Sequence, residues 1–238
     1  MAKRIGILGG ISAESTAAYY SRIIRGYFER YQDDYYPEIV IFSLNFQRFT
    51  DLENSGDQAA YIDEILGGIR ALEAAGADFV LMAANSPHAV YEQVAARARV
   101  PILSIVEVTA QKARSLGLCR LLLLGIKFTM QSSFYQETCG TLGIEVLTPT
   151  GPEQDEIDHI IFGELAHGLL YDESRARLLE ILAGYDVDGV ILGCTELPLL
   201  LKQGDAPVIL LDTLDLHVRA ALDYALDGEQ SQPGGEPG

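Results

Sequence analysis

The sequence predicts an α/β fold made of two pseudo-symmetric lobes, each with a four-stranded, largely parallel sheet flanked by helices. Short apolar runs alternate with longer amphipathic stretches, a pattern that is typical of buried strands alternating with covering helices. The chain also repeats itself, because the segments 78–84 and 188–194 match in length and in their pattern of apolar and small residues. Two such lobes are expected to bind a ligand in the cleft between their strand ends.

The predicted strands are short apolar runs that read as buried, parallel segments. They are Ile5–Leu8, Ile39–Phe42, Phe79–Met82, Ile102–Ile105, Leu121–Leu124, Ile144–Leu147, Val190–Leu192 and Val208–Leu211. Helical spacing of apolar residues is clearest over Ala17–Arg30, Gln58–Ala75, Ser174–Ala183 and Leu214–Leu226. The last of these helices is expected to pack back on the first lobe. We therefore predict a first lobe of residues 1–113 plus about 213–227, a second lobe of residues 114–212, and a disordered tail at 228–238.

Composition excludes several classes of function. With 238 residues and 48% hydrophobic content, the chain is predicted to be globular, and its net charge of -17 argues against nucleic acid and membrane partners. The three cysteines have neither CxxC pairing nor a zinc-like histidine spacing, so we expect no disulfide and no metal. The apolar N-terminal segment is too short for a signal peptide core, which makes a cytoplasmic location the default expectation.

A glycine-rich segment follows the first predicted strand. It contains Gly9, Gly10 and Ser12, and it leads into a helix without matching G-x-G-x-x-G. Its backbone N–H groups and the Ser12 hydroxyl suit a carboxylate, whereas the alternative is a tight turn in which Ser12 caps the helix. The sequence leaves both readings open.

Polar residues follow the third strand of each lobe. Cys194 stands where a strand gives way to a helix, and there the helix dipole is expected to lower the thiol pKa. Cys119 and Cys139 fit a buried apolar role better. The position that matches Cys194 in the first lobe is Ala84, which carries no exchangeable proton. His88, a few residues later, is either a helix-start histidine or a catalytic one.

Four segments together resemble the aspartate/glutamate racemase family: Ile7–Thr16, Ala84–His88, Gly125–Met130 with Phe134–Tyr135, and Gly193–Glu196. The resemblance implies a cofactor-independent racemase of a free amino acid, aspartate or glutamate, that works without pyridoxal phosphate or metal as a homodimer. In this family two cysteines flank the substrate, one removing the α-proton and the other returning a proton to the opposite face.

The resemblance also implies roles for individual residues. Cys194 is the thiol acid/base, and the substrate carboxylate is bound by Asn85, Ser86, Thr129 and Thr195, with Ser12 as a further candidate from the glycine-rich segment. Arg48 lies in the region that meets a side-chain carboxylate in aspartate-specific members, although a solvated arginine is an equal alternative. Glu196 either orients the thiol or a nearby backbone donor, or is a helix-start glutamate that interacts with the dipole, and it is given no catalytic role.

Ala84 occupies the position of the family's first catalytic cysteine, so a symmetric two-thiol mechanism cannot operate. The alanine is either natural or the product of a Cys-to-Ala substitution, and Ser86, His88 or water is then the candidate for returning a proton on that face. Two alternatives remain: a single-cysteine decarboxylase of the arylmalonate type, and an inactive amino-acid-binding protein. Aspartate, glutamate and less polar amino acids all remain possible substrates.

Overall fold

The computed structural model describes residues 2–226, which form two compact units. Within these residues, the first unit comprises 2–83, 92–103 and 218–226, and the second comprises 84–91 and 104–217. The tail predicted at residues 228–238 lies outside the described residues.

Each unit contains one four-stranded sheet in which every strand pair is parallel, which confirms the predicted α/β class. The strands of the first sheet are β1 (Ile5–Gly9), β2 (Ile39–Ser43), β3 (Phe79–Met82) and β4 (Ile102–Leu103). Those of the second are β5 (Arg120–Leu124), β6 (Glu145–Leu147), β7 (Gly189–Leu192) and β8 (Ile209–Asp212). The order is β2-β1-β3-β4 in one and β6-β5-β7-β8 in the other, so the two sheets repeat the same topology.

Helices follow the strands in both units. They are α1 (Ala13–Tyr31), α2 (Phe46–Ser55), α3 (Gln58–Ala74), α4 (Tyr91–Ala95), α5 (Ile105–Ser115), α6 (Lys127–Gln131), α7 (Phe134–Gly140), α8 (Gly151–Gly163), α9 (Asp172–Ala183), α10 (Leu197–Leu200) and α11 (Thr213–Leu226). Short 3-10 helices cover Ser86–Val90 and Leu165–His167. Across residues 2–226, none of the helices has the length and apolar character needed to span a membrane.

The leucine run 121–124 shows why the strands were readable from sequence. In β5, Leu121 and Leu123 face a buried cluster that includes residues of α5 and α7, whereas Leu122 and Leu124 face a cluster that includes residues of α8 and α9. Successive side chains of a strand point to opposite faces, so a sheet covered on both sides needs apolar residues at every position.

Two details differ from the sequence prediction. The predicted strand Ile102–Ile105 ends at Leu103, because Ser104 caps α5 by accepting the Glu107 N–H at 3.2 Å. The compact units also divide the chain differently from the predicted boundary after residue 113, since residues 84–91 and α5 belong to the second unit. The Ile105 N–H donates to His88 Nε2 at 3.2 Å, which joins these two segments.

Residues 218–226 of the C-terminal helix pack on the first unit, and its first residues, 213–217, belong to the second. Lys3 donates its backbone N–H to the Ala225 carbonyl at 2.9 Å, and its Nζ lies 3.8 Å from the centre of the Tyr224 ring. Arg30 of α1 forms an ion pair with Asp223 at 2.5 Å. Residues 218–226 therefore complete the first unit, as its last helical segment.

Candidate active site

In the second sheet, β6 lies on one side of β5 and β7 lies on the other, so the strand order reverses between β5 and β7. Ligands of open α/β sheets usually bind at the carboxyl ends of the two strands at such a switch point. Glycines end both strands. Gly193 donates its N–H to the Leu124 carbonyl at 2.7 Å, and a Cβ at Gly193 would lie 2.9 Å from that same oxygen. A Cβ at Gly125 would lie 3.1 Å from the Gly193 carbonyl oxygen. Only glycine allows the two strand ends to come this close.

Cys194 follows Gly193 and forms a small polar cluster with the next two residues. Its Sγ lies 2.9 Å from Glu196 Oε2, and the Thr195 hydroxyl donates to the same oxygen at 2.6 Å. Glu196 is only 7% exposed, and Cys194 is half-buried against the apolar cluster on one face of the sheet. One buried carboxylate oxygen therefore receives both a thiol and a hydroxyl.

This environment overturns the expectation of an acidic thiol at Cys194. Burial raises the pKa of Cys194 well above its ordinary value, and the charge of Glu196 raises it further. The backbone N–H groups of Thr195 and Glu196 act in the opposite direction but less strongly. The helix that follows, α10, has four residues, so its dipole is small compared with a full carboxylate charge next to the sulfur. At neutral pH the thiol is therefore protonated and donates to Glu196.

Thr129 lies beside this segment. A Cβ added at Gly125 would be 3.3 Å from Thr129 Cβ, and one added at Gly193 would be 3.7 Å from its methyl group, which puts the side chain against both strand ends. Thr129 is 1% exposed, and its Oγ1 has no hydrogen-bond partner among residues 2–226. A buried hydroxyl without a partner is costly, and it suits a site that receives a polar ligand group.

Ala84 and the residues after it belong to the same unit as Cys194. Asn85 and Ser86 are 4% and 5% exposed. Asn85 Nδ2 donates to Thr213 Oγ1 at 3.3 Å, and the Thr213 hydroxyl donates to the Leu192 carbonyl at 2.9 Å. Asn85 is therefore tied to the end of β7, directly before Gly193 and Cys194.

His88 has a structural role. Its Nδ1 lies 3.2 Å from the Asn85 carbonyl oxygen, and its Nε2 accepts the Ile105 N–H at 3.2 Å, so both ring nitrogens are occupied. Burial, and to a lesser extent the charge of His217, lowers the pKa of His88 to about 3. A neutral imidazole with both nitrogens engaged neither takes nor returns a substrate proton, which removes His88 from the candidate bases.

Ser12 and Arg48 lie in the first unit. Ser12 caps α1, its Oγ accepting the Ser15 N–H at 3.1 Å, and the Gly10 N–H is used internally by donating to Thr16 Oγ1 at 2.8 Å. Arg48 has a side chain that is 69% exposed, and it pairs with Glu64 at 2.8 Å. The capping interpretation of Ser12 is thus confirmed, and any substrate contact by Arg48 has to compete with Glu64.

The other two cysteines differ in burial. Cys139 is fully buried, and burial raises its pKa to about 11, which fits the predicted apolar role. The same prediction is wrong for Cys119, which is exposed and whose backbone N–H donates to Asp188 at 2.8 Å. Within residues 2–226, no group of three or more histidine, cysteine, aspartate or glutamate side chains is arranged to hold a metal ion.

The sequence analysis gave Glu196 no catalytic role and assigned no role to Tyr135 or Thr213. The Cys-Thr-Glu spacing was a local signal for Glu196, because a residue two positions from the cysteine is close enough to reach its sulfur. Tyr135 and Thr213 contact Asn85 from 50 and 128 residues away in the chain, and no local pattern announces such contacts.

Known amino-acid racemases and their homologues match this chain over nearly its whole length. The Asp/Glu/Hydantoin racemase family matches residues 8–221. A broad-specificity amino-acid racemase from Bacillus subtilis is 27% identical over 210 residues, which cover 86% of this chain and 91% of that protein. The structure of an aspartate racemase homologue from Pyrococcus horikoshii is 38% identical with a TM-score of 0.83, covering 94% of this chain and 99% of that one. Picrophilus torridus aspartate racemase, 21% identical with a TM-score of 0.75 over 94% of both chains, shares the fold.

Proposed function

Because the chain belongs to the Asp/Glu/Hydantoin racemase family, we propose that it exchanges the α-proton of a free amino acid, with Cys194 as the thiol acid/base. Aspartate and glutamate are the proposed substrates, and the chemistry needs neither pyridoxal phosphate nor a metal. The observation that carries the proposal is the buried cluster in which the Cys194 thiol donates to the Glu196 carboxylate at 2.9 Å. It supplies a proton donor and a proton acceptor on one face of a ligand.

The raised pKa of Cys194 determines the order of proton transfers. To act as a base, the thiol first gives its proton to Glu196, and the resulting thiolate then takes the α-proton while the C–H electron pair stays on Cα. In the return step the thiol gives its proton to the carbanion, and the thiolate that remains takes back the proton that Glu196 received in the first step. Glu196 therefore holds the proton that Cys194 must lose before abstraction.

The carbanion needs donors around the α-carboxylate, where its charge is delocalised. Asn85, Ser86, Thr129 and Thr195 are the proposed donors. Asn85 is tied to the end of β7 through Thr213, and Thr129 presents a buried hydroxyl that has no other partner within residues 2–226. A substrate carboxylate would satisfy that hydroxyl.

Ala84 makes the chemistry one-sided. Its methyl group carries no exchangeable proton, and His88 is neutral with both ring nitrogens engaged. Water or the Ser86 hydroxyl is left to protonate that face, and both are poor acids compared with a thiol. We therefore expect exchange on the Cys194 face to be faster than inversion.

A second candidate function is decarboxylation of a malonate, and the protonated state of Cys194 favours it. Loss of CO₂ leaves a carbanion that needs one proton and no base, so a single neutral thiol opposite a small residue is sufficient. A binding protein that retains the site without turnover is the third reading. It predicts ligand binding with no exchange at Cα.

The test is proton NMR of L- and D-aspartate and L- and D-glutamate in D₂O, with deuterium at Cα and the enantiomer ratio followed together. We expect deuterium incorporation that outpaces inversion, and we expect inversion to speed up in Ala84→Cys. Cys194→Ala should abolish exchange, whereas Cys119→Ala makes the same change at an exposed thiol and should have no effect.

Full exchange in Cys194→Ala would refute the thiol mechanism. No exchange in either the unmodified chain or Ala84→Cys would refute racemase chemistry on these substrates. In that event, CO₂ release from an arylmalonate separates the decarboxylase from the binding protein.

A further inference from the structure

A buried series of hydrogen bonds runs from α7 through Asn85 to the end of β7. The Tyr135 hydroxyl donates to Asn85 Oδ1 at 2.6 Å, and Asn85 Nδ2 donates to Thr213 Oγ1 at 3.3 Å. Thr213 donates to the carbonyl of Leu192 at 2.9 Å. Tyr135 and Thr213 are fully buried, and all of these residues belong to the second unit. We refer to this series as the Asn85 relay.

The donor and acceptor roles in the Asn85 relay are fixed by the Leu192 carbonyl. A carbonyl oxygen only accepts, so the Thr213 hydroxyl must give its single hydrogen to Leu192. Its oxygen is then an acceptor toward Asn85, which requires the amide NH₂ to face Thr213 and the amide oxygen to face Tyr135. The reversed amide would place two acceptors against each other.

This orientation determines what Asn85 can offer to a ligand. Its Oδ1 is occupied by Tyr135 and one Nδ2 hydrogen by Thr213. The second Nδ2 hydrogen has no partner within residues 2–226, so the amide has a donor left to offer, whereas its oxygen already accepts the Tyr135 hydroxyl. A carboxylate matches that donor, and an ammonium group does not.

We propose that Tyr135 and Thr213 are positioning residues that hold the Asn85 amide as a hydrogen-bond donor to the α-carboxylate of the substrate. The inference rests on the proposed function, and it gives a role to two residues to which the sequence analysis assigned none. Because the relay ends on β7, it also fixes the donor relative to the strand that carries Cys194.

The relay is suited to this task over the whole working pH range. Burial raises the pKa of Tyr135 far above its ordinary value, so its hydroxyl keeps the proton that it donates to Asn85. The Thr213 hydroxyl and the Leu192 carbonyl do not titrate. The orientation of Asn85 therefore does not depend on a group that changes charge.

The kinetic test uses Tyr135→Phe and Thr213→Val, which delete one hydroxyl each and preserve shape. Each should raise KM for aspartate or glutamate exchange about fivefold to tenfold, the effect of one hydrogen bond. The turnover number should fall by a smaller factor than KM rises, because the carboxylate contact is already present in the ground state and is only strengthened as charge moves onto the carboxylate in the transition state. Thr213→Ser keeps the hydroxyl and should restore KM.

Two controls separate positioning from loss of stability. Tyr19→Phe deletes a hydroxyl from another fully buried tyrosine, in the first unit, and should leave KM unchanged. In an Asn85→Ala background, Tyr135→Phe should have no further effect on KM, because a residue that acts only through the Asn85 side chain has no effect once that side chain is removed. Additive losses, or failure of Thr213→Ser to restore KM, would overturn the inference.

A readout that is independent of turnover is the side-chain NH₂ resonance of Asn85, identified by its loss in Asn85→Asp. We expect two distinct amide protons in the unmodified chain, with the one bonded to Thr213 protected from exchange, and loss of this protection in Tyr135→Phe. An unprotected amide in the unmodified chain would refute the relay. A protected amide together with an absence of Cα exchange would support the relay and refute the proposed function instead.

Discussion

Replacing Glu196 with glutamine tests the electrostatics of the candidate site. The change removes one negative charge 2.9 Å from the Cys194 sulfur and preserves the shape of the side chain. Even with the full screening of water, a unit charge at that distance contributes about 1.4 kcal/mol, which corresponds to about tenfold more thiolate at neutral pH. Burial of the pair makes this a lower bound.

The assay is the reaction of Cys194 with a neutral dipyridyl disulfide, in a Cys119→Ser background that removes the exposed thiol. A less basic thiolate is also a weaker nucleophile, and with a Brønsted coefficient of about 0.5 a tenfold gain in thiolate becomes about a threefold gain in rate. We expect Glu196→Gln to react at least about threefold faster, with its pH–rate profile displaced to lower pH.

Glu164→Gln is the matched control, because it removes the same charge at a carboxylate that accepts the Ser174 hydroxyl at 2.6 Å elsewhere in the second unit. It should leave the rate unchanged. A rate in Glu196→Gln equal to or below that of the unmodified chain would refute the account of a thiol held protonated by Glu196.

Three further predictions concern stability and binding. His88 has a pKa of about 3 in the folded chain against an ordinary value of 6.5, so the unfolded chain binds the proton first as pH falls. The free energy of unfolding should therefore decrease by up to about 1.4 kcal/mol per pH unit between these values. Denaturant titrations of His88→Gln should show a smaller decrease per pH unit, and an equal decrease would contradict this. Gly10→Ala places a Cβ 2.2 Å from the Leu44 carbonyl oxygen and should lower the unfolding free energy by more than about 1 kcal/mol. Gly56→Ala, with a similar positive φ but open space, should cost less. Thr129→Val should raise KM, because it removes the hydroxyl proposed to bind the substrate. The melting temperature should be unchanged or higher, because this buried hydroxyl lacks a partner within residues 2–226. An unchanged KM would argue against a substrate contact.

The strands were predictable because the sheets are covered on both faces. A run such as 121–124 must be apolar at every position, and this signal is local. The end of the fourth strand was misplaced because Ile105 is apolar for another reason: it starts α5 and is buried there. Apolar content alone does not distinguish a strand from the first turn of a buried helix.

The residues of the candidate site could be predicted from the sequence, but the burial and the protonation state of Cys194 could not. Cys194 could be identified because it follows a strand end, where ligands bind in this class of fold, whereas Thr129 could be identified only through the family resemblance. The protonation state of Cys194 depends on burial and on the direction in which Glu196 turns, and both are set by packing that the sequence does not display. The helix dipole was overestimated because the length of α10, four residues, could not be read from the sequence.

Ala84 and the protonated Cys194 lead to the same conclusion about the chemistry by separate routes. Under the proposed function, Ala84 removes proton exchange from one face of the substrate, and the Glu196 carboxylate makes the remaining thiol a donor before it is a base. An acid on one face is sufficient to protonate a carbanion, but inversion of a stereocentre also needs an acid/base group on the opposite face. A product formed by this chain should therefore carry its new proton on the Cys194 face. Ala84→Cys should change the stereochemical outcome more than the rate of proton delivery, because it adds the second face and leaves the first intact.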